Sequence, residues 1–319
     1  MFTETSWLSV GQAGVVRLDI PVYTIGNGKP VFGITCSVHG DEPSGLYIVA
    51  RLLEYLKQVD KISGTIHIVP AANPAAQLVN KRVSPLDLKD LNRAGRGRQD
   101  GTFTDRVGAR LFDFLSQCDL VVNIHEFEMH TPVTAVFMNA GDTSTKIKTL
   151  AAIRVFAPDI LWVINPDQNS DTQYQATLDT ALAQAGIANF PIETTQLAFL
   201  SEDEIDKAAL GLFHVATHLG ICKSFLELHS FVAPAFFRQE VTAGEAGLWE
   251  PNCELMQAVE AGEQIGMLRT LTGFQQMQIN SPSKGILVQY RHRHLVATGT
   301  SLFSLGHDAS YVIASYLGK

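Results

Sequence analysis

The chain has 319 residues, of which 46% are hydrophobic and 18% are charged, and its formal net charge at pH 7 is −8. A chain of this length can bury a large core and often forms two domains. The negative charge argues against nucleic acid as the main partner, because phosphate binding depends on clustered Lys and Arg. The four cysteines form no Cys-x-x-Cys pair, so we expect reduced, buried thiols rather than a disulfide framework.

The N-terminal segment and the apolar runs bear on localisation. The first seven residues contain no basic segment followed by an apolar one, the pattern of a secretory signal. No apolar run approaches the ~20 residues needed to span a bilayer. The sequence therefore predicts a cytoplasmic protein with neither a membrane nor a nucleic acid as partner. A homo-oligomer stays open.

The first strong structural signal lies in residues 31–59. The apolar, β-branched run 31–38 predicts a strand, and apolar residues at helical spacing after Glu42 predict a helix to about Val59. Between them stands His39-Gly-Asp-Glu42-Pro43. In open α/β sheets ligands bind at the carboxyl edge, so His39 and Glu42 can both point at one ion. Gly40 would let the backbone pass close to whatever His39 holds. The alternative is a capped turn with a solvated acid.

The sequence up to about Gly220 alternates strands with helices. A strand at 64–70 precedes the stretch 77–102, which has no periodicity and is long enough to suggest a functional loop. After a helix that begins near Thr104, the strand 119–125 ends in His125. The elements predicted after it are strands at 133–138, 159–164 and 188–193 and helices at 144–156, 172–185 and 201–219. This order predicts an α/β fold with a mostly parallel, mixed sheet and helices on both faces.

The pattern changes after about Gly220. The remaining residues carry short alternating strands separated by glycine turns, which is typical of a small antiparallel sandwich or barrel. We therefore predict two domains, an α/β catalytic domain at 1–223 and an all-β domain at 224–319.

Several residues with catalytic chemistry occur where predicted strands end. Two histidines and one glutamate, His39, Glu42 and His125, would form a three-ligand zinc site whose fourth position stays open for water. Such an ion brings the pKa of its water to about 7 and polarises a carbonyl. A further carboxylate must then accept the proton of the water and pass it to the leaving nitrogen.

Three motifs, in order, resemble those of the succinylglutamate desuccinylase/aspartoacylase family, a branch of the zinc carboxypeptidase superfamily: His39-Gly-Asp-Glu42, Asp90-Leu-Asn92-Arg93 and Asn123-Ile-His125. The resemblance covers about residues 30–220, and the C-terminal β region is also similar to that of the family. It implies a zinc carboxypeptidase-like fold with one zinc ion on His39, Glu42 and His125. The sequence departs from the family at Asn123, where the family has Asp, and after Glu193, where Thr-Thr replaces the more usual Leu-Gly.

The resemblance also implies roles for the other residues. The planar fork of Arg93, with Asn92, would hold a substrate carboxylate. Arg82 stands where the family keeps an arginine that steadies the oxyanion, and a solvated loop arginine is an equal alternative. For the general base we favour Glu193, which closes a predicted strand. Glu227 is the alternative, although it follows the helix predicted at 201–219.

These inferences together predict a zinc-dependent amidohydrolase that removes the acyl group from an N-acyl amino acid or a related small amide. A metallocarboxypeptidase that cleaves the C-terminal residue of a peptide would use the same chemistry. A metal-retaining binding protein without turnover also stays open, because Asn123 and Thr194-Thr195 alter the surroundings of the site.

Overall fold

The computed structural model describes residues 3–168, 170–224 and 231–317. The strands are β1 Glu4–Leu8, β2 Gln12–Ala13, β3 Val16–Arg17, β4 Ile20–Asn27, β5 Val31–Thr35, β6 Gly64–Val69, β7 Leu120–Phe127, β8 Thr134–Met138, β9 Ile160–Ile164, β10 Ala188–Thr195, β11 Ala235–Thr242, β12 Gly247–Pro251, β13 Ala258–Val259, β14 Gln264–Thr270, β15 Gln276–Asn280, β16 Gly285–Tyr290, β17 His294–Val296 and β18 Ser301–Asp308. The helices are α1 Ser44–Leu56, α2 Pro74–Leu78, α3 Phe103–Leu115, α4 Thr143–Phe156, α5 Leu178–Gln184, α6 Glu202–His218 and α7 Ser310–Leu317. Within these described ranges no helix is long and apolar enough to cross a membrane.

The main sheet contains twelve strands in the order β1-β4-β6-β5-β7-β10-β8-β9-β11-β18-β16-β13. The pairs β5–β6, β5–β7, β7–β10 and β8–β9 are parallel, whereas β4–β6 and β8–β10 are antiparallel. The sheet is therefore mixed and mostly parallel at its centre, which confirms the predicted fold class.

Helices cover both faces of this sheet, as strand β7 shows. Val122 and Ile124 belong to one apolar cluster with α1, α4 and α6, whereas Val121 belongs to a second cluster with α3 and α5. Successive side chains of a strand point to opposite faces, so β7 is buried on both sides. Burying each such large apolar side chain contributes about 1.5–3 kcal/mol. The continuous apolar run in the sequence reflects this double burial.

The C-terminal strands continue the main sheet. Strand β11 pairs in parallel with β9, with Phe236 opposite Trp162, and then pairs antiparallel with β18. A separate four-stranded sheet, β15-β14-β12-β17, packs on this extension around Trp249, Leu268 and Phe303. The predicted antiparallel sandwich is thus present. The domain boundary at residue 223 stays a prediction.

The structure differs locally from the sequence prediction at several points. The region 172–185 contains a 3₁₀ turn, Thr172–Tyr174, and the separate helix α5, because the side chain of Thr177 accepts the N–H of Thr180 and begins a new helix. The long loop contains a second 3₁₀ turn, Leu91–Arg93, which Asp90 caps. The sequence analysis did not anticipate α7.

Candidate metal and substrate site

The turn after β5 positions His39 and Glu42. Ser37 adopts a left-handed conformation (φ 53°), and the N–H of Gly40 donates to the carbonyl of Lys81 (2.9 Å). A Cβ atom on Gly40 would lie 2.1 Å from the carbonyl carbon of Ala76 in α2. Helix α2 therefore requires a glycine at this position, a contact that the sequence analysis did not anticipate. Packing against α2 fixes the turn.

His125 and Glu193 come from the adjacent parallel strands β7 and β10, which pair with these two residues directly opposite each other. Glu193 is partly accessible, whereas every other residue of β10 is buried. Both threonines after Glu193 are hydrogen-bonded inside the protein: Thr194 Oγ1 donates to the hydroxyl of Ser44 (3.2 Å), and Thr195 Oγ1 to the carbonyl of Thr131 (2.9 Å). This sequence departure is thus structurally accommodated.

The turn after β5 and the end of β7 bring His39, Glu42 and His125 together. Nδ1 of His39 lies 2.6 Å from Glu42 Oε1, and Nδ1 of His125 lies 2.9 Å from Glu42 Oε2. All three are buried, with exposed fractions of 2%, 7% and 3%. Their ligand atoms lie within 4.8 Å of one another, and no other group of three or more His, Cys, Asp or Glu converges in this way among the described residues.

The electrostatics of this group fit a cation. Burial raises the pKa of Glu42, but the opposing influence of His125 and His39 is larger and holds it at about 2. Burial lowers the pKa of His125, but Glu42 raises it to about 9. Buried ionisable groups are costly unless they are paired or coordinate a metal. Two imidazoles and one carboxylate are a common donor set for a catalytic zinc ion. The side chains present therefore fit a divalent metal.

Asp90 and Arg82 flank the His39 side of the group. Asp90 Oδ1 lies 3.0 Å from His39 Nε2, and Asp90 Oδ2 accepts from Arg82 Nη2 (3.1 Å). Arg82 Nη1 also lies 3.4 Å from Glu42 Oε1. Burial raises the pKa of Asp90, but His39 and Arg82 hold it well below its usual range. Arg82 is half-exposed and lies beside the carboxylates of Glu42 and Asp90.

The 3₁₀ turn Leu91–Arg93 presents the predicted clamp. Arg93 is exposed, and its Nη1 donates to the carbonyl of Asn92 (2.7 Å) while its guanidinium lies 5.8 Å from the ring centroid of Tyr174. Asn92 Oδ1 accepts the N–H of Leu178 (3.4 Å) at the start of α5. The turn is therefore anchored to α5, and the guanidinium of Arg93 is exposed beside it.

Glu193 and Glu227 were the two predicted candidates for the general base. Burial raises the pKa of Glu193 to about 7 against the lowering influence of His125. Glu227 lies outside the described residues.

Sequence reasoning missed Arg238. Its guanidinium lies 3.9 Å from the ring centroid of Trp162 and 5.0 Å from that of Phe127, and Nη1 donates to Gln289 Oε1 (3.1 Å). It is near enough to Glu193 to lower the pKa of that carboxyl. Within the described ranges no carboxylate forms an ion pair with it. No local motif marks this residue, because only the pairing of β11 with β9 brings it to the site.

One cavity of about 270 Å³ joins these two parts of the chain. Glu42, Arg82 and Glu126 line it from the α/β region, and Arg238 and Arg291 line it from the C-terminal strands. Its volume is close to the lower end of the range for small-molecule sites. The arrangement can therefore place a small molecule between the buried His-Glu-His group and Arg238.

Comparison with known families gives a match over residues 29–219, to the succinylglutamate desuccinylase/aspartoacylase catalytic domain. Among characterised proteins, the chain is 23% identical over 311 residues to an N-α-acetyl-L-2,4-diaminobutyric acid deacetylase of Halomonas elongata. The aligned region covers 94% of this chain and 86% of the relative.

Solved structures show the same fold. The product-bound ectoine utilization protein EutE (DoeB) of Ruegeria pomeroyi superposes with a TM-score of 0.82 at 23% identity, covering 95% of this chain and 94% of that one. A succinylglutamate desuccinylase/aspartoacylase from Rhodobacter sphaeroides superposes with a TM-score of 0.80 at 20% identity, covering 96% and 95%. An aspartoacylase family protein of Mesorhizobium loti gives 0.78 at 22% identity, covering 95% of each chain.

Proposed function

This chain belongs to the succinylglutamate desuccinylase/aspartoacylase family, and from that premise we propose that it is a zinc-dependent deacylase. Its substrate would be an N-acyl amino acid or a related small amide that carries a carboxylate. The observation that carries the proposal is the buried group of His39, Glu42 and His125, with Glu193 on the neighbouring strand. The relative from Halomonas elongata, named as a deacetylase of an N-acetyl amino acid, supports this substrate class.

His39, Glu42 and His125 would hold the metal. A bound divalent ion supplies Lewis acidity, which polarises a carbonyl and lowers the pKa of water. Asp90 supports this role for His39, because it contacts Nε2 of His39 and leaves Nδ1 directed at Glu42. The protein holds these three side chains in a buried arrangement with their ligand atoms close together.

Glu193 would act as the general base and then as the general acid. Its carboxylate accepts a proton from the attacking water and delivers that proton to the leaving nitrogen when the C–N bond breaks. Its position opposite His125 and its partial accessibility support this role. Arg82, which already reaches Glu42, would donate a hydrogen bond to the amide oxygen as negative charge develops there.

Asn92 and Arg93 would bind the substrate carboxylate. The guanidinium fork can donate two parallel hydrogen bonds, which fixes the orientation of the carboxylate as well as its position. The anchoring of this turn to α5 supports the role, because a rigid clamp holds the scissile amide in place relative to Glu193.

Metal analysis combined with a substrate panel tests the proposal. The purified protein should contain about one equivalent of zinc, and removal by a chelator should abolish turnover of N-acyl amino acids until zinc is restored. His39→Ala should lose the metal, whereas His294→Ala, at an exposed position in β17, should retain it.

Other outcomes would overturn parts of this proposal. A wild-type protein that binds no divalent ion would refute the metal site. Hydrolysis of only the C-terminal residue of peptides would instead make the protein a carboxypeptidase. A metal-replete protein inert on both substrate classes would be a binding protein.

A further inference from the structure

Asp179 is a buried carboxylate with an unexplained oxygen. It lies in the first turn of α5 with an exposed fraction of 1%. Its Oδ1 accepts a hydrogen bond from Nδ2 of Asn123, and Oδ1 of Asn123 in turn accepts from the hydroxyl of Thr35. Oδ2 of Asp179 has no hydrogen-bond partner among the described residues. Buried polar atoms are almost always satisfied, so such an oxygen requires a reason.

Nε2 of His125 is also buried and without a partner in the described part of the chain. Asn123 and His125 are two residues apart on β7, so both side chains point to the same face of the sheet, the face that α5 covers. Asp179 is hydrogen-bonded to Asn123, so its carboxylate lies against the same face of β7 as the side chain of His125. Nε2 of His125 can donate a hydrogen bond, and Oδ2 of Asp179 can accept one.

The surroundings of His39 show how a carboxylate can position a histidine of this group. Nδ1 of each histidine faces one oxygen of Glu42. Nε2 of His39 contacts the carboxylate of Asp90 at 3.0 Å, whereas Nε2 of His125 has no such contact. A histidine that ligates a metal generally donates its other N–H to a carboxylate, carbonyl or water, which fixes the tautomer and the ring orientation.

We propose that Asp179 is the positioning carboxylate of His125. With the metal bound, Oδ2 of Asp179 would accept a hydrogen bond from Nε2–H of His125 and hold the imidazole with Nδ1 directed at Glu42. The inference rests on the proposed metal site and assigns to it a residue from a helix that carries no metal-binding motif.

The same geometry explains Asn123, the position where the sequence departs from its family. A carboxylate at residue 123 would lie against that of Asp179, and two buried like charges at hydrogen-bond distance repel each other. The neutral amide instead donates to Asp179 and holds it in place. In this chain the carboxylate beside β7 comes from α5, and the amide of Asn123 connects the two elements.

Zinc affinity, measured by competition with a chromogenic chelator, tests this role without depending on catalysis. Asp179→Asn keeps the shape of the side chain and should weaken zinc binding about 10–100-fold. The reciprocal double variant Asn123→Asp/Asp179→Asn returns a carboxylate to the same neighbourhood and should recover most of the lost affinity. Thr177→Ala is the matched control, since it removes the cap of α5 but keeps the carboxylate. It should lower thermal stability and leave zinc affinity unchanged.

A second readout uses the zinc-loaded protein. The Nε2–H proton of His125 should give a protected imidazole signal in NMR spectra of the zinc-loaded wild type, and Asp179→Asn should abolish it. This measurement also decides the matter if Asp179→Asn does not fold, because absence of the signal in the wild type contradicts the pairing.

Several results would overturn the proposal. Wild-type zinc affinity in Asp179→Asn would overturn the proposal, as would a loss in Thr177→Ala equal to that in Asp179→Asn. A folded double variant that binds no better than Asp179→Asn would overturn it too. A wild-type protein that binds no zinc would refute the proposed function, whereas a zinc-binding wild type with an unaffected Asp179→Asn would refute only the role of Asp179.

Discussion

The two walls of the cavity are built in different ways. On the α/β side, the wall includes Glu42, which belongs to the short contiguous motif His39-Gly-Asp-Glu42 in the turn between β5 and α1. On the C-terminal side, Arg238 stands alone in β11, and its surroundings come from β7, β9 and β16. The comparison indicates that the reaction chemistry is encoded locally, whereas the opposite wall is assembled by the joining of two parts of one sheet.

Of the three substitutions considered, Glu193→Gln should reduce activity most, because it removes a proposed proton carrier while keeping the shape of the side chain. We expect kcat to fall by about 10²–10⁴-fold, with metal content unchanged. Steady-state kinetics and metal analysis of the same preparation would test this. Glu240→Gln, which removes an exposed acid from the C-terminal wall, should change kcat by less than about twofold. If Glu227→Gln loses activity and Glu193→Gln does not, the assignment of the base is wrong.

Arg93→Gln should have the next largest effect. Loss of hydrogen bonds to a charged partner costs about 1.5–3 kcal/mol, so kcat/KM should fall about 10–100-fold. Arg93→Lys should recover only part of this, because it restores the charge without the planar fork. A substrate pair that differs only in its carboxylate, free or amidated, provides the control, since Arg93→Gln should reduce the preference for the free acid. An unchanged preference would contradict the proposed clamp.

Arg238→Gln should have the smallest effect of the three, because this guanidinium is held by two aromatic rings and Gln289 and is not part of the proposed clamp. We expect KM to rise about 3–10-fold, corresponding to ~0.7–1.4 kcal/mol, with kcat nearly unchanged. Arg293→Gln, at an exposed position of the same region, is the matched control and should leave both constants unchanged. If Arg238→Gln lost as much kcat as Glu193→Gln, the assignment of the reaction chemistry to the α/β wall alone would be wrong.

Much of the fold was predictable because its signals are periodic and local. The apolar run of β7 predicted a strand, and its end at His125 predicted a polar side chain at the carboxyl edge of the sheet. The division of 172–185 into a 3₁₀ turn and α5 was not predicted, since a single cap at Thr177 decides it. The close approach of Gly40 to the backbone of α2 was not predicted either, because the spacing of the motif carries no information about that contact.

By itself, the sequence determined the fold class, the family and the positions of the residue types that suit metal and amide chemistry. Periodicity and motif spacing depend only on neighbouring residues, so they can be interpreted without a structure. Only the tertiary structure brought Asp179 to Asn123, 56 residues away in the chain, and Arg238 to Gln289, 51 residues away. Such contacts depend on strand register and on which face of the sheet each helix covers. A one-residue shift of register would turn every side chain of a strand to the other face.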